Sequence, residues 1–131
     1  MKTNAQRAAT IAFSQVSAID RQKKSYCQKY GSMAHKLPIF IRRAGLAQAL
    51  AFVQAKNEEA YRDLLTHVAT AVSWPNITTG TQLAELSRSA DLDTYILLTR
   101  RVIAVLIWYK RFAESVLGVK SIDDAPEGGQ E

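Results

Sequence analysis

Apolar residues recur along most of the chain at the three- and four-residue steps that give a helix one buried face. Ala5, Ala8, Ala12, Val16, Ile19, Tyr26 and Tyr30 follow those steps with polar residues between them. They predict a long first helix from about Thr3 to Lys29, ending near Gly31. Ser32 then caps a second helix reaching Ala44-Gly45, with Pro38 inside it as a kink or restart, because proline cannot donate to the preceding turn. Leu46, Ala49, Leu50 and Val53 predict a third helix to about Lys56. Asn57 is placed to cap a fourth, where Glu58 and Glu59 meet the positive end of the helix dipole. The stripe Tyr61, Leu64, Leu65, Val68, Ala71 and Val72 carries that helix up to Trp74, and Pro75 ends it. A loop over 76–80 precedes a short helix from about Gln82 to Arg88. Ser89 or Asp91 caps a last long helix from about Leu92 to Leu117.

No segment alternates with period two, and there is no Asn-Gly or Asp-Gly hairpin signal. The expected fold is all-α, a single compact bundle of five to six helices with long first and last helices over residues 1–117. An acidic tail over 118–131 is expected to be disordered. The length, 131 residues, fits one domain.

The last helix carries the most information. Tyr95, Leu98, Val102, Val105, Tyr109, Phe112 and Val116 form one seam at 3.6 residues per turn, which must face the core. On the opposite side Arg100 and Arg111 share the surface with Ile96, Ile103 and Ile107. Either this helix is central in the bundle, its arginines reaching past their neighbours to water, or Ile96, Ile103 and Ile107 offer an interface to another chain.

Charge narrows the partners. There are 17 Lys and Arg against 12 Asp and Glu, a net +5. Four of the acids, Asp123, Asp124, Glu127 and Glu131, lie in the last eleven residues, leaving 17 basic against eight acidic residues, or +9, over 1–120. That excess favours an anionic partner, with nucleic acid the first candidate. The basic residues pair as Lys23-Lys24, Arg42-Arg43, Arg100-Arg101 and Lys110-Arg111. Arg42 and Arg43 precede the Gly45 turn, where side chains can fan outward to phosphates. They are equally placed to complement the negative end of a helix dipole. The longest uncharged apolar run, Val102 to Tyr109, falls far short of the roughly 20 residues that span a bilayer, and no apolar stretch follows the first residues as in a signal peptide. A cytoplasmic protein without membrane contact is expected.

Candidates for catalysis are few. His35 and His67 lie in different helices, and Cys27 with His35 flanks Gly31 without a nucleophile motif. Asp91 and Asp93 read as helix-start residues, and the adjacent Glu58 and Glu59 diverge on their helix. Gly31, Gly45, Gly80 and Gly118 stand alone, so no phosphate-cradling loop is formed, and one cysteine cannot build a multi-cysteine zinc site. No catalytic residue, no metal site and no cofactor is expected.

Two ordered series of residues carry a resemblance. The first is Lys29-Tyr30-Gly31, Lys36-Leu37-Pro38, then Ala44-Gly45-Leu46-Ala47-Gln48-Ala49-Leu50-Ala51-Phe52 with Lys56. The second runs from Tyr95 to Arg100 and on to Trp108-Tyr109-Lys110-Arg111-Phe112-Ala113-Glu114. Over about residues 3–117 the chain resembles the small α-helical (fifth) subunit of the type III-B, or Cmr, CRISPR RNA-guided effector complex. The resemblance implies a non-catalytic subunit present in several copies. These copies would form a minor filament beside the large polymerase-like subunit, facing the backbone subunits and the paired guide and target RNA. Target cleavage and cyclic oligoadenylate synthesis would belong to other subunits. It makes Arg42, Arg43, Arg100, Lys110 and Arg111 the expected RNA-facing residues. At Arg101 the chain departs from the family pattern, where many members carry glutamate. The alternatives are the small subunit of the related type III-A complex and a helical nucleic-acid-binding or adaptor module unrelated to CRISPR.

Overall fold

Thr3 opens the first helix by accepting the Gln6 N–H (3.0 Å) while the Gln6 side chain accepts the Thr3 N–H (2.8 Å), so two otherwise unpaired donors are satisfied at once. The computed structural model describes residues 3–121, and within them the chain is six helices without a strand. They are α1 Asn4–Ser17, α2 Lys24–Ala44, α3 Leu46–Lys56, α4 Glu59–Val72, α5 Gly80–Ser89 and α6 Leu92–Ser115.

The predicted first helix is divided. Ala8, Ala12, Val16, Ile19 and Tyr30 are buried as their spacing required, but the backbone leaves the helix after Ser17 and resumes at Lys24. Between them the Asp20 carboxylate accepts the Gln22 N–H (2.9 Å), a local turn that competes with helix continuation. The break expected near Gly31 is absent, and α2 passes through both Gly31 and Pro38. Gly31 serves packing instead. A Cβ there would lie 2.6 Å from Cβ of Val119, and Val119, just beyond α6, is buried against it. The Val119 N–H donates to the Ala113 carbonyl (2.9 Å), and its own carbonyl meets Nε2 of buried His35 (2.8 Å). The chain after Gly118 is thus fastened to α2 as far as Val119. Asp123, Asp124, Glu127 and Glu131, assigned to the acidic tail, lie outside the described residues.

The remaining boundaries differ by a residue or two. Asn57 is left-handed (φ 52°) and ends α3 rather than capping α4, and Ser73 (φ 57°) ends α4 before Trp74. Thr79 starts α5 with a second reciprocal cap to Gln82. Asp91 caps α6 by accepting the Thr94 N–H (2.8 Å), and this hydrogen bonding holds its carboxyl below the usual carboxylate range.

Helix α6 packs on α1, α2 and α4 through Leu98, Val102, Val105, Leu106, Tyr109 and Ala113, all buried. Tyr95, Phe112 and Val116 of the predicted seam are partly buried against the same core. Helix α2 runs antiparallel to α6, with Gly45 beside Tyr95 at one end and Gly31 beside Val119 at the other. Gly45 joins α2 directly to α3 with φ 92° and ψ 157°, a conformation closed to residues with a Cβ. Its turn brings the Ala47 N–H to the Tyr95 hydroxyl (3.1 Å), and a Cβ on Gly45 would crowd that hydroxyl at 3.1 Å. Gly45→Ala is therefore expected to lower the unfolding free energy by about 2 kcal/mol, read from the urea midpoint. An unchanged midpoint would mean that the turn relaxes without strain.

Candidate nucleic-acid interface

The five basic residues expected to face RNA form two pairs with Arg100 between them rather than one patch. Arg42 and Arg43 are exposed in the last turn of α2, immediately before Gly45. The Gly45–Tyr95 contact sets them at the start of α6, whereas Lys110 and Arg111 lie fifteen residues further along, about 22 Å at the helical rise. Arg100 stands between them, exposed, about 16 Å from Arg111 along the axis. Lys110 is half-buried and Arg111 exposed. None of the five meets a carboxylate within 4 Å among the described residues, where the ion pair found is Lys29–Glu58 (3.0 Å) on another face.

Along the outer side of α6, Ile96 is 41% and Ile107 37% exposed, and Ile103 is half-buried. Leu92 (71%) and Leu97 (46%) extend this apolar surface toward the start of the helix. The helix is therefore neither enclosed on all sides nor polar on its free side.

Residue spacing left the aromatic neighbours of these cations out of the expected interface. The Arg111 guanidinium lies over the Trp108 ring (5.3 Å), Trp108 stacks near Phe112 (6.0 Å between centroids), and Phe112 meets Phe13 of α1 edge-on (5.3 Å). Arg101 likewise lies over Trp74 (5.1 Å). Trp108, Arg111 and Phe112 are one turn apart, so their contact was available from the sequence; the meetings with Phe13 and Trp74 needed the tertiary fold.

The family model described as CRISPR-associated protein (Cas_Cmr5) matches residues 4–116. The chain belongs to the CRISPR-associated Cmr5 family. It is 38% identical over 117 residues to a protein of Thermus thermophilus named CRISPR system Cmr subunit Cmr5, covering 89% of this chain and 98% of that one. An X-ray crystal structure of a CRISPR-associated Cmr5 family protein from the same organism superposes with a TM-score of 0.79 at 37% identity, covering 88% of this chain and 99% of the other. The fold is thus that of a Cmr5 protein.

In this Cmr5 chain the groups considered for catalysis lie apart. With α2 continuous through Gly31, Cys27 and His35 are eight residues along one helix, about 12 Å, too far for a dyad. Cys27 is buried beside the Asp20 carbonyl (3.5 Å), and burial pushes its thiol pKa up. His35 is buried against Val119. His67 shares a hydrogen bond between Nδ1 and the Tyr30 hydroxyl (2.6 Å). Among the described residues no three metal-ligating side chains converge, and no helix is long and apolar enough to cross a membrane.

Burial lowers the pKa of His67 below its ordinary value, and the attraction of nearby Asp63 opposes this without reversing it. The folded protein then binds fewer protons here than the unfolded chain. The associated stability is complete above the unfolded histidine pKa, about 6.5, and is lost as pH falls below it. Urea midpoints measured from pH 7.5 to 5 are expected to fall, and His67→Gln, which retains an acceptor for Tyr30, should flatten that dependence. A profile unaltered by the substitution would assign the acid sensitivity elsewhere.

Proposed function

We propose that the chain is the non-catalytic small subunit of a type III-B CRISPR ribonucleoprotein acting in antiviral defence in the cytoplasm. Several copies stack into a minor filament beside the large polymerase-like subunit and the backbone subunits. Their basic side chains support guide and target RNA by contacting phosphates, while base pairing reads the sequence. The observation that carries this reading is the exposure of Arg42, Arg43, Arg100 and Arg111 without carboxylate partners among the described residues. Uncompensated cations at a surface bind polyanions by releasing condensed counterions, whatever the base sequence. The naming of the Thermus relative as a Cmr subunit supports the same assignment, and Ile96, Ile103 and Ile107 supply an apolar surface for the assembly.

Arg42→Ala/Arg43→Ala is expected to leave the thermal melt of the chain unchanged. In the assembled complex it should weaken RNA binding and reduce the slope of log K against log salt by about 1.5. Normal RNA binding by the folded double variant would remove these residues from the interface. Ile96→Asp/Ile107→Asp places charge on the exposed apolar strip. It is expected to reduce incorporation into the complex in co-purification while the isolated chain keeps its helical circular dichroism. Full incorporation would assign the contact to another surface.

A further inference from the structure

A cavity of about 400 Å³ opens between α1, the end of α4 and the middle of α6, away from α2 and the Gly45 turn. Its size falls within the about 300–1,000 Å³ typical of small-ligand sites. Trp108 lines it together with the apolar side chains of Val72 and Val105. Arg111 and Phe112 lie against the indole from the next turn, so Trp108 is held in place, and the cavity lies toward Arg101, two turns back along α6.

Two guanidinium groups, Arg7 and Arg101, line the same cavity, and both residues are exposed. Arg101 rests on the Trp74 ring and Arg7 donates to the Asn4 side chain. These contacts orient the two cations without neutralising them, and neither meets a carboxylate within 4 Å among the described residues. A ligand suited to this space needs a flat face for the indole and an anion for the arginines. A nucleotide has both. Paired bases in a duplex keep their faces stacked and internal, so a duplex could offer the site only its phosphates.

We propose that this cavity binds an unpaired nucleotide of single-stranded RNA, its base against Trp108 and its phosphate between Arg7 and Arg101. The proposal rests on the RNA-supporting reading above but uses a different face of the protein. Stacking on an aromatic ring accepts any base, so the site is expected to be indifferent to sequence.

The chain contains two tryptophans, Trp74 and Trp108, so Trp74→Phe leaves Trp108 as a local reporter and keeps a ring under Arg101. The full chain would be titrated at low salt with a single-stranded RNA decamer, the corresponding duplex and a mononucleotide. Fluorescence and the anisotropy of the labelled strands would be followed together. The single strand is expected to quench Trp108, and to do so at tenfold lower concentration than either competitor. Arg7→Ala/Arg101→Ala should raise the concentration required about tenfold with an unchanged melt. Independently of any tryptophan variant, a 4-thiouridine strand should crosslink to the wild-type chain within the segment holding Trp108. Strand binding without quenching or crosslinking there would overturn the cavity proposal and leave RNA binding through other residues intact. Equal quenching by the duplex or the mononucleotide would overturn the assignment to an unpaired strand. Failure of the chain to bind any strand would also overturn the cavity proposal, while the broader reading stands or falls on the complex carrying Arg42→Ala/Arg43→Ala.

Discussion

Three tyrosine hydroxyls converge on a single turn of α4, and the register of the bundle depends on that meeting. Tyr26 of α2 donates to Asp63 (2.5 Å), Tyr30 shares a hydrogen bond with Nδ1 of His67 (2.6 Å), and Tyr109 of α6 donates to the His67 carbonyl (2.8 Å). The Tyr109 hydroxyl also meets the side-chain amide of Gln15 on α1. Asp63 and His67 are one helical turn apart, so α1, α2 and α6 are all referred to the same short stretch of α4. Tyr30 and Tyr109 are fully buried, and a buried hydroxyl without a partner is costly. Burial raises the pKa of all three tyrosines, helped at Tyr26 by Asp63, and their hydroxyls remain protonated. Sliding any one helix by a turn would leave at least one of these groups unpaired.

That register decides what the surface can present. Once Tyr109 is fixed inward, Arg100 and Ile107 must point away from the core, and Arg101 and Trp108 must flank the groove toward α1. The antiparallel pairing of α2 with α6 carries Arg42 and Arg43 to the far end from Lys110 and Arg111. A partly buried polar junction therefore sets the spacing of the surface cations although none of them touches it.

The hydrophobic stripes were legible because burial is periodic: four of the buried positions of α6 follow from spacing, while Leu106 and Ala113 lay outside the expected seam, and α3 and α6 begin where Gly45 and Asp91 have local reasons to start them. The division of α1 from α2 was not legible, because the apolar step continues through Ile19 while the turn rests on local hydrogen bonds, the Asp20 carboxylate accepting the Gln22 N–H and its carbonyl the Lys23 N–H. Gly31 misled for the opposite reason. It looks like a helix stop, yet its missing side chain is required by Val119, 88 residues away in sequence. Of the candidate basic residues Arg42, Arg43, Arg100 and Arg111 are exposed, as charged helix positions suggest, whereas Lys110 is half-buried. The groove was not legible, since Arg7, Val72 and Trp108 come from three helices and meet only through the fold.

On the proposed reading a single copy would offer few phosphate contacts, its two basic pairs lying about 22 Å apart along α6 with Arg100 between them. Because affinity from counterion release grows with the number of phosphates neutralised, one copy alone should hold RNA weakly and lose it readily as salt rises. Copies held side by side change this without any new contact, since each later contact becomes intramolecular at a high effective concentration. On that reading the exposed isoleucines and the exposed arginines of α6 would have complementary roles. In the proposed assembly the apolar strip would give a contact that salt does not weaken, and side-by-side copies would turn a sparse set of cations into a continuous support for a strand. A stacked base on Trp108 would add to each copy a contribution that salt screens little, fixing the strand locally where the phosphate contacts alone leave it free to slide.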